Sequence, residues 1–162
     1  MKKRGFEICS SYLEQNINLP IRKTKHSVGY DLECATDVVI PSLFKSLKLS
    51  FDVKVEPTLV KTGIKSYFLE DEVLILANKS STPKKFGLVM ANSIGIIESD
   101  YYNNESNEGE LMLAYYNFLP FDITIKKGTA IGQAYFQKFL ISDDDNASGV
   151  RKGGFGSTDN LF

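Results

Sequence analysis

The chain has 162 residues, 43% of them hydrophobic and 24% charged, with a formal net charge of −1. A single domain of that size can bury roughly 70% of the surface its unfolded chain exposes. So even a charge balance gives no global positive field for nucleic acid or an anionic membrane, and any anionic ligand must be held by local donors.

The opening Met1-Lys2-Lys3-Arg4 could begin a secretion signal, but Glu7 interrupts the residues after it almost at once. No segment approaches the ~20 apolar residues of a membrane helix. Cys9 and Cys34 are too few for a disulfide framework and lack zinc-ligand spacing, so they are expected to be buried or half-buried thiols in a cytoplasmic protein. His26 is the sole histidine and is expected to be a surface or loop residue.

Further along, Asp37-Val38-Val39-Ile40 reads as a strand ended by Pro41. From 45 to 61, Leu47, Leu49, Phe51, Val53 and Val55 alternate with polar residues that include Lys48 and Lys54. That period of two predicts an extended strand or hairpin with a solvated basic face. The runs at 58–64, 73–77 and 110–116 are of strand length, the last entered from a polar turn at 103–109. Ser80-Ser81-Thr82-Pro83-Lys84-Lys85-Phe86-Gly87 is the one helical candidate, with capping hydroxyls ahead of a proline and a closing glycine. Residues 130–139 alternate like a strand covered in part on both faces. Short strands separated by turns predict an all-β sandwich or barrel with at most one short helix.

The chain then changes character. Residues 142–149 are polar and acidic, which predicts a mobile linker, with Asp143, Asp144 and Asp145 solvated and not metal-binding. Beyond it come Val150-Arg151-Lys152-Gly153-Gly154-Phe155-Gly156-Ser157-Thr158. Glycines let backbone N–H groups approach a ligand closely, and Arg151 can make paired charge-assisted bonds to phosphate. Ser157 and Thr158 add donors, and Phe155 offers a ring to stack on a base. No Gly-x-x-x-x-Gly-Lys-Ser/Thr phosphate loop occurs.

Those last residues resemble the C-terminal motif of trimeric dUTPases, and four other segments resemble that family's motifs in order. They are Ser27-Val28-Gly29-Tyr30-Asp31-Leu32, then Asn78-Lys79-Ser80-Ser81, then the run 92–101 from Asn92 to Tyr101, then Lys127-Gly128-Thr129-Ala130-Ile131-Gly132-Gln133. The turn at 103–109 resembles the variant of Gram-positive bacteria and their phages. The resemblance implies a jelly-roll-type β-barrel over 1–141 and a mobile tail over 142–162. It also implies a homotrimer whose active sites are shared between subunits, with dUTP as substrate and Mg²⁺ as cofactor.

Residue roles follow from the same resemblance. Asn92, with backbone near Met112, would read the uracil edge, and Tyr101 would pack under the deoxyribose and leave no room for a 2′-hydroxyl. Lys79, Ser80, Ser81 and Gln133 would hold phosphates, closed over by Arg151, Phe155, Gly156, Ser157 and Thr158. Asp31 would hold metal-bound water, and Glu98 would orient the attacking water.

The chain departs from the family's pattern in three places. Glu98 stands where the family has aspartate, with Asp100 as a backup on the same side of an extended strand. Lys79 replaces an arginine and loses its fork. Thr129-Ala130 replaces an acidic residue followed by arginine. These changes leave room for a rival: a weakly catalytic dUTP-binding protein whose tail governs contact with a regulatory partner. A related dCTP deaminase is disfavoured by Gly154-Phe155-Gly156-Ser157-Thr158.

Overall fold

The computed structural model describes residues 2–45, 55–149 and 151. Eleven strands in the described residues pair antiparallel throughout. β1 (Gly5–Ile8) pairs with β5 (Ile64–Tyr67), and β3 (Val38–Ile40) pairs with β10 (Ile123–Ile125). A three-stranded sheet runs β4 (Thr58–Lys61), β9 (Met112–Asn117), β7 (Leu88–Met90). The largest sheet runs β2 (Tyr30–Glu33), β11 (Ala130–Lys138), β6 (Glu72–Asn78), β8 (Ile94–Ile97). The sheets fold around one core in a jelly-roll-like arrangement without closing into a continuous hydrogen-bonded barrel.

That core is aliphatic. Leu32, Val60, Leu74, Leu76, Leu88, Leu113 and Ile131 are buried in it, joined by Tyr115. Alternation explains the placement, since successive side chains on a strand face opposite sides: in β6, Leu74 and Leu76 face the core from alternate positions. Tyr115 resolves its polar end by donating to the carbonyl of Ile131 at 2.8 Å.

Several sequence expectations change in detail. The run 58–64 is two strands, because Gly63 turns the chain at φ +68°. An added Cβ there would also meet the Tyr12 ring at 2.9 Å. The strand expected at 110–116 begins at Met112, since Glu110 and Leu111 are engaged with the Thr62–Ile64 turn. Of the extended segment expected at 45–61, Lys45 is helical with Leu43 and Phe44, a second short helical stretch beyond the one expected. Positions 46–54 lie outside the described residues, and strand structure begins at Thr58.

The helical candidate forms as α1 (Ser81–Phe86), ended by Gly87 in the left-handed region at φ +62°. Ser80 does not cap it with its side chain, because its own backbone is already helical and the capping geometry needs an extended residue. The helix is pinned instead by Thr82, which is buried and donates to the carbonyl of Ile131 at 2.7 Å. Cys9 and Cys34 are free thiols, both buried, and burial raises the Cys9 pKa to about 12. His26 is exposed. No helix of the described residues is long and apolar enough to cross a membrane.

Candidate active site

Two groups of candidate residues form on the largest sheet. The first is built by register. Gln133 on β11 lies opposite Asp31 on β2 and opposite Ala77 on β6, so the ends of β2 and β6 meet across the middle strand. Lys79 leaves the end of β6 and donates to Asp31 Oδ2 at 2.7 Å, in a pair largely shielded from solvent. Gln133 Nε2 donates to the carbonyl of Asn78 at 3.1 Å. Gly29 packs under Gln133, and a Cβ there would come within 2.1 Å of Gln133 Oε1. Ser80 and Ser81 follow at the start of α1. A cation therefore meets one carboxylate, and an amide faces that carboxylate from the neighbouring strand.

The second group lines a cavity of about 200 Å³. Asn92, Glu98, Tyr101, Met112 and Arg151 all contribute to its wall, with Leu76 and Gly95 from the β6–β8 pair. Strand β8 ends at Ile97, and residues Ser99–Tyr101 form a 3₁₀ turn. Glu98 and Asp100 therefore do not sit on a continuing strand, as alternation had suggested. The turn brings them together all the same: Arg151 Nε donates to Asp100 Oδ1 at 2.8 Å and Nη2 donates to Glu98 Oε2 at 2.9 Å. The same turn carries Tyr101, whose N–H donates to the Glu98 carbonyl at 3.1 Å.

Tyr101 is buried and its hydroxyl donates to the Glu110 carbonyl at 3.2 Å. Burial, the largest influence, raises its pKa and keeps it a neutral phenol. Glu110 also lines the cavity and accepts from the backbone of Gly63 at 3.1 Å. Sequence reading passed over Glu110. Its one signal was a carboxylate at the head of an apolar run. The Asp31–Lys79 pair was also not anticipated as a pair, because positions 48 apart carry no local signature. Phe155, Gly156, Ser157 and Thr158 lie outside the described residues.

The register also sets Glu98 apart from Lys79, while Ile94 opposite Ala77 leaves Asn92 near the end of β6. Ile97 lies opposite Leu74, which sets Glu98 near Val73, six residues along β6 from Lys79. At the usual strand rise of about 3.3 Å per residue that separation is roughly 20 Å.

Against known proteins, the dUTPase family model matches residues 15–159. The chain belongs to the dUTPase family. It is 42% identical over 160 residues to a deoxyuridine 5′-triphosphate nucleotidohydrolase of Lactococcus lactis subsp. lactis (strain IL1403), covering 98% of this chain and 99% of that protein. The crystal structure of a dUTPase from Streptococcus mutans superposes with a TM-score of 0.74 at 37% identity, over 86% of this chain and 98% of that one. A dUTPase of phage phi11 of S. aureus, described with a coordinated structural Mg(II) ion, shares the fold. There the TM-score is 0.66 at 17% identity, covering 91% and 98% of the two chains.

Proposed function

We propose that this dUTPase-family chain hydrolyses dUTP to dUMP and pyrophosphate, by in-line attack of water on the α-phosphorus. The observation that carries the proposal is the 3₁₀ turn after β8, which sets Glu98 and Tyr101 on the wall of one cavity and joins them by a backbone bond. In this reading the cavity takes the nucleoside. Asn92 and the backbone near Met112 read the uracil edge, and a site built for that edge rejects cytosine because its donors and acceptors would face the wrong partners. The Tyr101 ring lies beneath the deoxyribose.

Lys79, Ser80, Ser81 and Gln133 bind the phosphates, and Arg151 with Phe155, Gly156, Ser157 and Thr158 closes over them. Glu98 accepts the proton of the attacking water, as a carboxylate within reach of a bound water can. The rest of the rate comes from positioning and neutralised charge, with no protein nucleophile.

Mg²⁺ suits this donor set. The described residues hold no group of three or more His, Cys, Asp or Glu side chains able to cage an ion. A hard cation carried mainly by phosphate oxygens and retained waters needs only one nearby carboxylate, and Asp31 beside Lys79 supplies it. Bound there, the ion would neutralise phosphate charge.

The separation of roughly 20 Å between Glu98 and Lys79 supports a site completed by a neighbouring subunit, since a triphosphate cannot lie along both in one chain. Exposed Ile94 and Ile96 on the edge strand β8, with Phe139 nearby, offer an apolar face for such a neighbour to cover. A homotrimer meets both needs.

The deciding experiment is pyrophosphate release from dUTP, dCTP, dTTP and UTP, with and without Mg²⁺. Release confined to dUTP and dependent on Mg²⁺ is expected. Tight dUTP binding without release would instead favour a regulatory dUTP-binding protein.

A further inference from the structure

The loop between Tyr101 and Met112 takes no part in the reaction as set out above, yet it holds both ends of Tyr101. At the ring's far end, Asn107 Nδ2 donates to the Tyr101 hydroxyl at 2.7 Å. At the backbone, Asn104 Nδ2 donates to the Tyr101 carbonyl at 2.8 Å. The two amides are joined, since Asn104 Nδ2 also donates to Asn107 Oδ1 at 2.8 Å, and Gly109 N donates to the same oxygen at 3.1 Å. Asn104 Oδ1 in turn accepts from Ser106 N at 3.0 Å and Asn107 N at 3.2 Å.

Gly109 is required at this point. Its φ is +80°, and a Cβ there would lie 2.5 Å from the Tyr101 carbonyl oxygen. Lys65 fastens the loop from below, donating to Asn103 Oδ1 at 2.7 Å and to Glu108 Oε1 at 2.6 Å.

We propose that Asn107 is a positioning residue for Tyr101 and thereby sets selectivity for deoxyribose over ribose. The inference rests on the reading that places the Tyr101 ring beneath the sugar. A phenol anchored only through the Glu110 carbonyl can pivot about its side-chain torsions while keeping that one bond. The second bond, from Asn107, fixes the ring plane. Exclusion of a 2′-hydroxyl is a matter of about an ångström of clearance, a scale on which misplacement is worth up to ~10²-fold in rate. Asn107 supplies the donor that holds that clearance, and Asn104 presents Asn107.

The test is the ratio of kcat/KM for dUTP over UTP in the full chain, with Asn107→Ala, Asn107→Asp, Tyr101→Phe and the double variant Asn107→Ala/Tyr101→Phe. Asn107→Asp keeps an oxygen for Gly109 N and Asn104, but its carboxylate cannot donate, so the single hydroxyl proton of Tyr101 serves either it or the Glu110 carbonyl. The two-point hold is lost, and this variant carries the test if Asn107→Ala fails to fold. Either Asn107 change is expected to lower the ratio about tenfold, mainly through faster UTP turnover, with kcat for dUTP changed less.

The effect should vanish in the Tyr101→Phe background, because Asn107 acts through the hydroxyl. Glu108→Gln, which loosens the loop elsewhere, should leave the ratio unchanged. An unchanged ratio in the Asn107 variants, or an equal loss with and without the Tyr101 hydroxyl, would overturn the inference while leaving dUTP hydrolysis intact. A wild-type chain that neither hydrolyses nor binds dUTP would overturn the functional reading, and this inference with it.

Discussion

Glu98 carries one more methylene than the aspartate its motif resembles, and the structure gives that longer side chain a place. It reaches from the start of a 3₁₀ turn into the wall of the cavity and meets Arg151 beside Asp100. Glu98→Gln keeps the size and removes the base, so pyrophosphate release should fall ~10²-fold or more while dUTP binding persists. Titration calorimetry beside the release assay separates the two quantities. A release rate within a few-fold of wild type would remove Glu98 from the chemistry and turn attention to Asp100.

Glu108 makes a different prediction at the same scale. Hydrogen bonds from Lys65 and from Ser10 hold its carboxyl at about 2, below its ordinary value of 4.5. A carboxyl held low favours the folded state at pH values above about 4.5. That contribution disappears as pH falls from about 4.5 towards about 2. The Tm gap between wild type and Glu108→Gln should therefore be widest near neutral pH and close on acidification. Partial exposure of the Glu108 side chain screens the ion pair and keeps the gap small.

At the level of elements, β11 joins the core to the candidate site. It pairs with β2 and β6 on its two edges, so it carries Gln133 between Asp31 and Ala77. Gly132 is a point of close approach on that strand. A Cβ there would meet Leu113 Cδ1 at 2.6 Å and the Ala77 carbonyl at 3.3 Å. Gly132→Ala should cost roughly 1–3 kcal/mol, because Leu113 is fully buried and cannot swing into solvent. Chemical denaturation reads that change as a lower midpoint with an unchanged slope. Stability equal to wild type would mean that Leu113 on β9 repacks to make room.

For the whole molecule, one chain sets Glu98 and Lys79, both assigned to the proposed site, far apart along β6. Assembly is the economical way to bring the two to one triphosphate, and light scattering at micromolar concentration should give the mass of three chains. A monomer that still turned over dUTP would refute the shared site. Because ligand bound between subunits favours the assembled state, Tm should rise with dUMP concentration.

Much of this was legible in the sequence because it is local. A continuous apolar run marked β6, alternation marked β11, and Pro83 with Gly87 marked α1. Five short motifs in order pointed to the dUTPase family, since groups that bind one ligand need particular residue types at close spacing. Other features depended on the path of the chain. The break at Gly63, where the chain turns at φ +68° against the Tyr12 ring, was hidden inside an apolar run. The Asp31–Lys79 pair, the role of Glu110 and the hold of Asn107 on Tyr101 are contacts that packing and loop closure create. The sequence by itself determined the element types, the family and the residue chemistry, which are set by neighbours along the chain. Only the tertiary structure decided which carboxylate meets which cation and which amide holds the tyrosine, because those distances depend on strand register and turn geometry.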